Sequence, residues 1–134
     1  MTRDDRYPLI SDLAARARRR IPHFAWEYLD SGTGAETALA RDTEALQAIR
    51  MWPGVMAGSI EPDMSVELWG TRYEAPFGVA PVGLSGLIWP GAEAVLARAA
   101  AAARIPMCLS TVANSNPETV GRLVDGMGWF QLYP

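Results

Sequence analysis

Phe77-Gly78-Val79-Ala80-Pro81-Val82-Gly83-Leu84-Ser85-Gly86 decides the fold, because a short apolar run passes there directly into glycine and small polar residues. The same event occurs twice more. Pro106-Met107-Cys108-Leu109 leads into Ser110-Thr111-Val112-Ala113-Asn114, and Trp129-Phe130 leads into Gln131-Leu132-Tyr133-Pro134. Runs that are apolar throughout read as strands covered on both faces, as in a parallel sheet. Polar residues at the carboxyl ends of such strands are where α/β barrels and open α/β sheets bind ligands.

Between the three strands lie two helical stretches. Pro90 is placed to open the first, which Val95, Leu96 and the Ala99–Ala103 run continue. The alanines read as close helix–sheet packing. Asn116-Pro117 opens the second, with Val120, Leu123 and Val124 inward and Gly126 near its end. The predicted series is βαβαβ, which is right-handed and leaves the third strand as an open apolar edge that further strands would cover.

Upstream the rhythm is helical. Ser11-Asp12 is a candidate cap for a helix carrying Ile10, Leu13, Ala17 and Ile21 on one stripe. Arg16, Arg18, Arg19 and Arg20 lie off that stripe and read as a solvated face, against the sharper alternative of an anion or membrane contact. Pro22 restarts the chain into a helix aligning Phe24, Tyr28 and Leu29, which Ser31–Gly34 ends. Residues 36–49 predict another helix with Leu39, Thr43, Leu46 and Ile49 as its buried line. Residues 51–64 are loop-like. Ser65–Trp69 and Tyr73 flank Gly70-Thr71-Arg72 as a β-hairpin. The domain reading is a helical and hairpin segment, 1–75, followed by the βαβαβ part, 76–134.

Composition limits the chemistry. With 49% hydrophobic and 20% charged residues and a net charge of −3, the chain has the make-up of a soluble globular protein and no basic stripe for nucleic acid. All twelve basic residues are arginine, and His23 is the only histidine. Cys108 is alone, which excludes an internal disulfide or a cysteine metal site and suits a small core residue. No metal-ligand spacing stands out. Gly32-Thr33-Gly34 follows a helix and lacks a third glycine, so it is not a dinucleotide loop. The charged N-terminus leads into no long apolar stretch, so no signal peptide or spanning helix is expected. The expected compartment is the cytoplasm, with peripheral attachment to the inner face of the membrane left open.

The strand ends carry the candidate ligand contacts. Gly83 lets backbone approach a flat ligand, Ser110 and Thr111 can bond its rim, and Gln131 offers both a donor and an acceptor to an amide-like edge. Tyr133 lies two residues on and points to the same side as Gln131.

Five stretches, taken together, carry a family resemblance: Ile21-Pro22 with Trp26-Glu27-Tyr28-Leu29-Asp30-Ser31-Gly32; Ala80-Pro81-Val82-Gly83-Leu84; Leu87-Ile88-Trp89-Pro90; Leu109-Ser110-Thr111; and Trp129-Phe130-Gln131-Leu132-Tyr133. The chain resembles the N-terminal part of the flavin mononucleotide (FMN)-dependent α-hydroxy acid dehydrogenases and oxidases, which include glycolate oxidase, L-lactate dehydrogenase and (S)-mandelate dehydrogenase. Gly83 and Leu87–Pro90 are most similar to the mandelate and bacterial lactate dehydrogenase branch.

The resemblance implies a TIM (β/α)8 barrel, here its first three strands, behind an N-terminal helical segment. It implies FMN as cofactor and oxidation of a small L-2-hydroxy acid to the 2-oxo acid in the full-length protein. Carried over by position, Pro81, Val82, Gly83, Ser110 and Gln131 bind FMN, and Tyr28 and Tyr133 bind substrate. The family's catalytic histidine, its arginine and its flavin-supporting lysine would lie beyond residue 134. The alternative expectation is a non-catalytic chain, inactive alone or completed by a partner.

A homo-oligomer and a quinone, cytochrome or oxygen acceptor are further implications. Departures from the family pattern occur at Thr33-Gly34-Ala35, Asp42-Thr43, Ala92 and Val112, so substrate size does not carry over.

Overall fold

The computed structural model describes residues 6–56, 58–59 and 61–134; residues 1–5, part of the charged N-terminus read above, lie outside them. The chain divides into two compact units at the junction of Pro62 and Asp63. The hairpin, read above with the helical segment as residues 1–75, therefore sits in the unit that holds the parallel strands.

The first unit contains α1 (Ile10–Arg18), α2 (His23–Asp30) and α3 (Thr37–Ala48). α1 begins two residues earlier than a Ser11 cap would place it. Leu9 is the cap residue, and the Asp12 carboxylate accepts the Leu9 N–H at 3.1 Å. That bond satisfies one of the donors a helix start leaves free. Pro22 does precede α2, and Ser31 ends it.

The expected burial lines are not buried. α1 and α3 contain no buried residue; Ile10 is 85% exposed and Leu46 71%. In α2 the packed residues are Ala25 and Trp26, whereas Phe24, Tyr28 and Leu29 are exposed. Helical periodicity marks which side of a helix can be buried, and burial itself needs a second surface. His23 is exposed and pairs with Glu27 one turn on, at 3.4 Å.

The second unit opens with β1 (Val66–Leu68) and β2 (Thr71–Tyr73), an antiparallel hairpin as expected, but Thr71 and Arg72, read as turn residues, belong to β2, and Trp69, read as strand, lies in the turn. Its two-residue turn, Trp69-Gly70, has both residues left-handed, the twist that matches a right-handed strand pair. Glycine adopts this freely; Trp69 does not, but its ring meets Trp129 edge-on at 5.1 Å. Trp129 also donates its Nε1–H to the Tyr73 hydroxyl at 3.0 Å.

The three apolar runs lie parallel and in sequence order. The first is shorter than expected. Only Val79 pairs, through one parallel bridge to Met107, with Val79 N–H donating to the Pro106 carbonyl at 2.8 Å and Cys108 N–H to the Val79 carbonyl at 2.9 Å. Pro76 and Pro81 bracket the run and have no N–H to extend the ladder. β3 (Met107–Leu109) and β4 (Gly128–Phe130) are regular strands in register Met107 with Gly128 and Leu109 with Phe130. Gly78 is needed where the first run meets the second, because a Cβ there would lie 2.4 Å from the Pro106 carbonyl oxygen.

Three helices connect these runs. A single turn, α4 (Ser85–Ile88), was not anticipated. α5 (Ala92–Ala103) starts after a left-handed Gly91 rather than at Pro90. α6 (Pro117–Gly121) is capped by Asn116, whose side chain accepts the Thr119 N–H at 2.8 Å, as the Asn-Pro pair implied. The core lies between strands and helices: Ala97, Ala100, Met107, Leu109, Val120 and Val124. Small alanines let α5 approach the sheet closely at Ala97 and Ala100, so within the Ala99–Ala103 run the packing reading holds at Ala100, while Ala99, Ala102 and Ala103 are exposed. The described residues form no closed barrel, and none of their helices is long and apolar enough to cross a membrane.

Candidate functional site

Strand alternation sorts the side chains. Met107 and Leu109 face the helices, so Cys108, Ser110, Trp129 and Gln131 take the opposite face. The ladder continues one step past the strands, where Gln131 N–H donates to the Leu109 carbonyl at 2.9 Å. Ser110 and Gln131 thereby become neighbours. The Ser110 hydroxyl donates to Gln131 Oε1 at 3.1 Å, and the Thr111 hydroxyl donates to the Gln131 main-chain carbonyl. Ser110 is buried and Gln131 half-buried. With its carbonyl oxygen engaged by Ser110, the Gln131 amide keeps its N–H donors for a group beyond the strand ends.

The first strand end joins them through the main chain. Leu84, just after Gly83, donates its N–H to the Val112 carbonyl at 3.0 Å. The turn carrying Pro81, Val82 and Gly83 is thus anchored to the loop that follows Ser110. Tyr133 lies two residues past Gln131 and is half-exposed. Tyr28 is an exposed residue of α2, in the helical unit.

An apolar cleft of about 390 Å³ occupies the same face nearer the hairpin, lined by Val66, Leu68, Tyr73, Ala80, Cys108 and Trp129 among others. Its lining is mainly apolar and holds little that could orient a polar ligand. The chemistry gathers instead at Ser110 and Gln131. Burial pushes the Cys108 thiol above its ordinary pKa, so it stays protonated as a packing residue. Among the described residues no cluster of histidine, cysteine, aspartate and glutamate could hold a metal ion.

Glu93 is the residue that motif reasoning missed. It is 2% exposed in the first turn of α5. Burial alone would raise its pKa, but hydrogen bonds from its own main chain, Ser85, Asn114 and Ser115 outweigh that and hold it below the ordinary value. The signal was present in the sequence as a lone carboxylate in an alanine-rich helix, at the end where a negative charge is favoured.

The family model for FMN-dependent dehydrogenase matches residues 17–134. An L-lactate dehydrogenase of Ectopseudomonas mendocina is 41% identical over 92% of this chain and 32% of its own length. The (S)-mandelate dehydrogenase of Pseudomonas putida is 33% identical, with the same coverage. Among solved structures, a soluble mutant of the membrane-associated (S)-mandelate dehydrogenase from Pseudomonas putida superposes with a TM-score of 0.84 at 34% identity, over 92% of this chain and 36% of that one. A mandelate oxidase superposes at 0.87 with 30% identity, over 95% and 38%. The chain spans about a third of the length of the curated relatives it matches. With residues 17–134 matched and the strand-end pattern in place, the chain belongs to the FMN-dependent dehydrogenase family.

Proposed function

We propose that these 134 residues are the opening third of an FMN-dependent TIM-barrel enzyme that oxidises a small L-2-hydroxy acid, of lactate, mandelate or glycolate type, to its 2-oxo acid. The observation that carries the reading is the paired Ser110 and Gln131 at adjacent parallel strand ends, 3.1 Å apart, beside the anchored Pro81–Gly83 turn. An amide and a hydroxyl side by side suit the polar edge of a flavin ring, and backbone without bulky side chains suits its face.

In this reading Ser110 and Gln131 hold the ring edge, and Pro81, Val82 and Gly83 pack against it. FMN, when bound, supplies the acceptor for the two electrons that leave the substrate. Tyr133, beside Gln131, and Tyr28, from the helical unit, orient the substrate through its hydroxyl and carboxylate. The proton-accepting base and the cations that hold the carboxylate belong to the rest of the barrel. His23 is exposed and already paired with Glu27. A general base typically contributes about 10²–10⁴ in rate, so the 134 residues alone are expected to be inactive. The acceptor that reoxidises the flavin, peripheral attachment to the inner membrane face and a homo-oligomeric state belong to the same proposal.

A second reading is supported by one feature. Phe130 and Leu132 at the β4 edge are exposed, which suits a chain that associates with a partner completing the barrel.

The test is to express the protein from its complete reading frame and titrate it anaerobically with L-lactate, (S)-mandelate and glycolate. Flavin absorbance that bleaches with one of them is the expected result. A protein that purifies without flavin, and whose added FMN no 2-hydroxy acid reduces, would sink the first reading. A frame closing at codon 134, with a heteromeric complex on size exclusion, would favour the second.

A further inference from the structure

The loops that carry the strand-end residues are tied to each other by side chains outside that site. Glu93 Oε1 accepts the Asn114 N–H at 3.0 Å, and Oε2 accepts the Ser115 hydroxyl at 3.4 Å. The Ser85 hydroxyl also bonds Glu93. Asn114 Oδ1 in turn accepts the Gly86 N–H at 3.0 Å. With the Leu84 N–H bonded to the Val112 carbonyl, the contacts close a circuit. It runs from the turn after Gly83, through Asn114, to Glu93, and back through Ser85 to the same turn.

Two details show how tightly this circuit sets position. A Cβ on Gly86 would lie 2.9 Å from the Asn114 Cβ and Oδ1, so the two loops touch with no room for a methyl group. Leu84 is left-handed, a conformation that costs free energy and persists where its surroundings over-determine it. The bonds on either side of Leu84, at its own N–H and at Gly86, supply that constraint.

We propose that Glu93 and Asn114 are positioning residues of the flavin site, holding the Pro81–Gly83 main chain at a set separation from Ser110. The inference rests on the FMN reading given above. Neither residue needs to touch the ligand. Removing the carboxylate leaves the Asn114 N–H and the Ser85 and Ser115 hydroxyls to find new partners where Ser85 is buried, Ser115 half-buried and Asn114 exposed, and the loops drift apart. Small displacements of groups that position a reacting centre are costly.

The experiment uses the protein expressed from its complete reading frame, as wild type, Glu93→Ala, Glu93→Gln and Asn114→Ala. Each is measured for FMN Kd, for the visible circular dichroism of bound flavin, for amide exchange at 84–86 and 112–115, and for thermal midpoint without FMN. Glu93→Ala and Asn114→Ala are each expected to raise Kd roughly tenfold or more, alter the flavin dichroism and speed exchange in both loops. Glu93→Gln keeps an acceptor for the Asn114 N–H and should recover most of the affinity.

Unchanged Kd and dichroism in Glu93→Ala would overturn the proposal even if its thermal midpoint fell, since that is what a purely structural residue does. Should Glu93→Ala not fold, unchanged Kd and dichroism in Asn114→Ala would overturn it equally. If the wild type binds no FMN while exchange still speeds up in the variants, the flavin reading has failed and the proposal falls with it. Tight FMN binding with unchanged exchange overturns the brace alone.

Discussion

The helices of residues 10–48 and the β/α segment of residues 79–130 both follow apolar patterns legible in the sequence, yet they differ in what those patterns bury. α1 and α3 contain no buried residue. In the β/α segment Ala97 and Ala100 are essentially inaccessible, and Met107 and Leu109 nearly so. A right-handed βαβ connection folds its own helix back onto the strands it joins, so the second surface arrives within the same stretch of chain. An isolated amphipathic helix carries no such guarantee. Periodicity names a face; topology decides whether it is covered.

The largest expected contrast tests that difference directly. Met107→Ala should lower the unfolding free energy by about 3 kcal/mol, through lost burial and a cavity between β3 and α5. Leu46→Ala, on the exposed side of α3, should stay within about 0.5 kcal/mol. Urea unfolding of both variants checks this, and equal losses would show that α3 is buried in solution.

A smaller effect sharpens the account of the first strand. Gly78→Ala should cost about 2 kcal/mol, because its Cβ must displace Pro106 and with it the Val79 bridge. Gly34→Ala, in the helical unit, meets no neighbouring atom and should cost less, the strain of its left-handed backbone alone. If the two midpoints in urea shifted alike, the close approach at Gly78 would not be what limits the first strand.

The smallest effect is a pH dependence confined to the second unit. Glu93 has a folded-state pKa below its ordinary value of 4.5, so its stabilising contribution is complete above that value. It is lost as pH falls through the depressed folded value. The stability gap between wild type and Glu93→Gln should therefore narrow as pH falls below about 4.5. A gap constant across that range would mean the carboxylate is not held ionised by its four hydrogen bonds.

The sites divide in the same way. That Ser110 and Gln131 meet was readable because a strand end is marked by an abrupt change from apolar to small polar residues, and alternation puts both on one face. The Ser110–Gln131 contact needs only the one-step continuation of the β3–β4 register. Glu93 and Asn114 were not readable as a pair. They lie 21 residues apart on elements whose approach depends on how α5 lies against the loop after β3. The Trp129–Tyr73 bond joins residues 56 apart and was equally hidden.

What the sequence by itself determined is local: that a hairpin turns around Gly70, the Asn116 cap, the order and parallel sense of the apolar runs, and the family. Each follows from turn chemistry, capping or strand composition acting over a few residues. Only the tertiary structure decided that the first run pairs through Val79 alone, that the faces of α1 and α3 stay open, and that a buried glutamate joins the loops of the candidate site. Those outcomes depend on distances between segments far apart in the chain. Close packing settles such distances, and no local pattern encodes them.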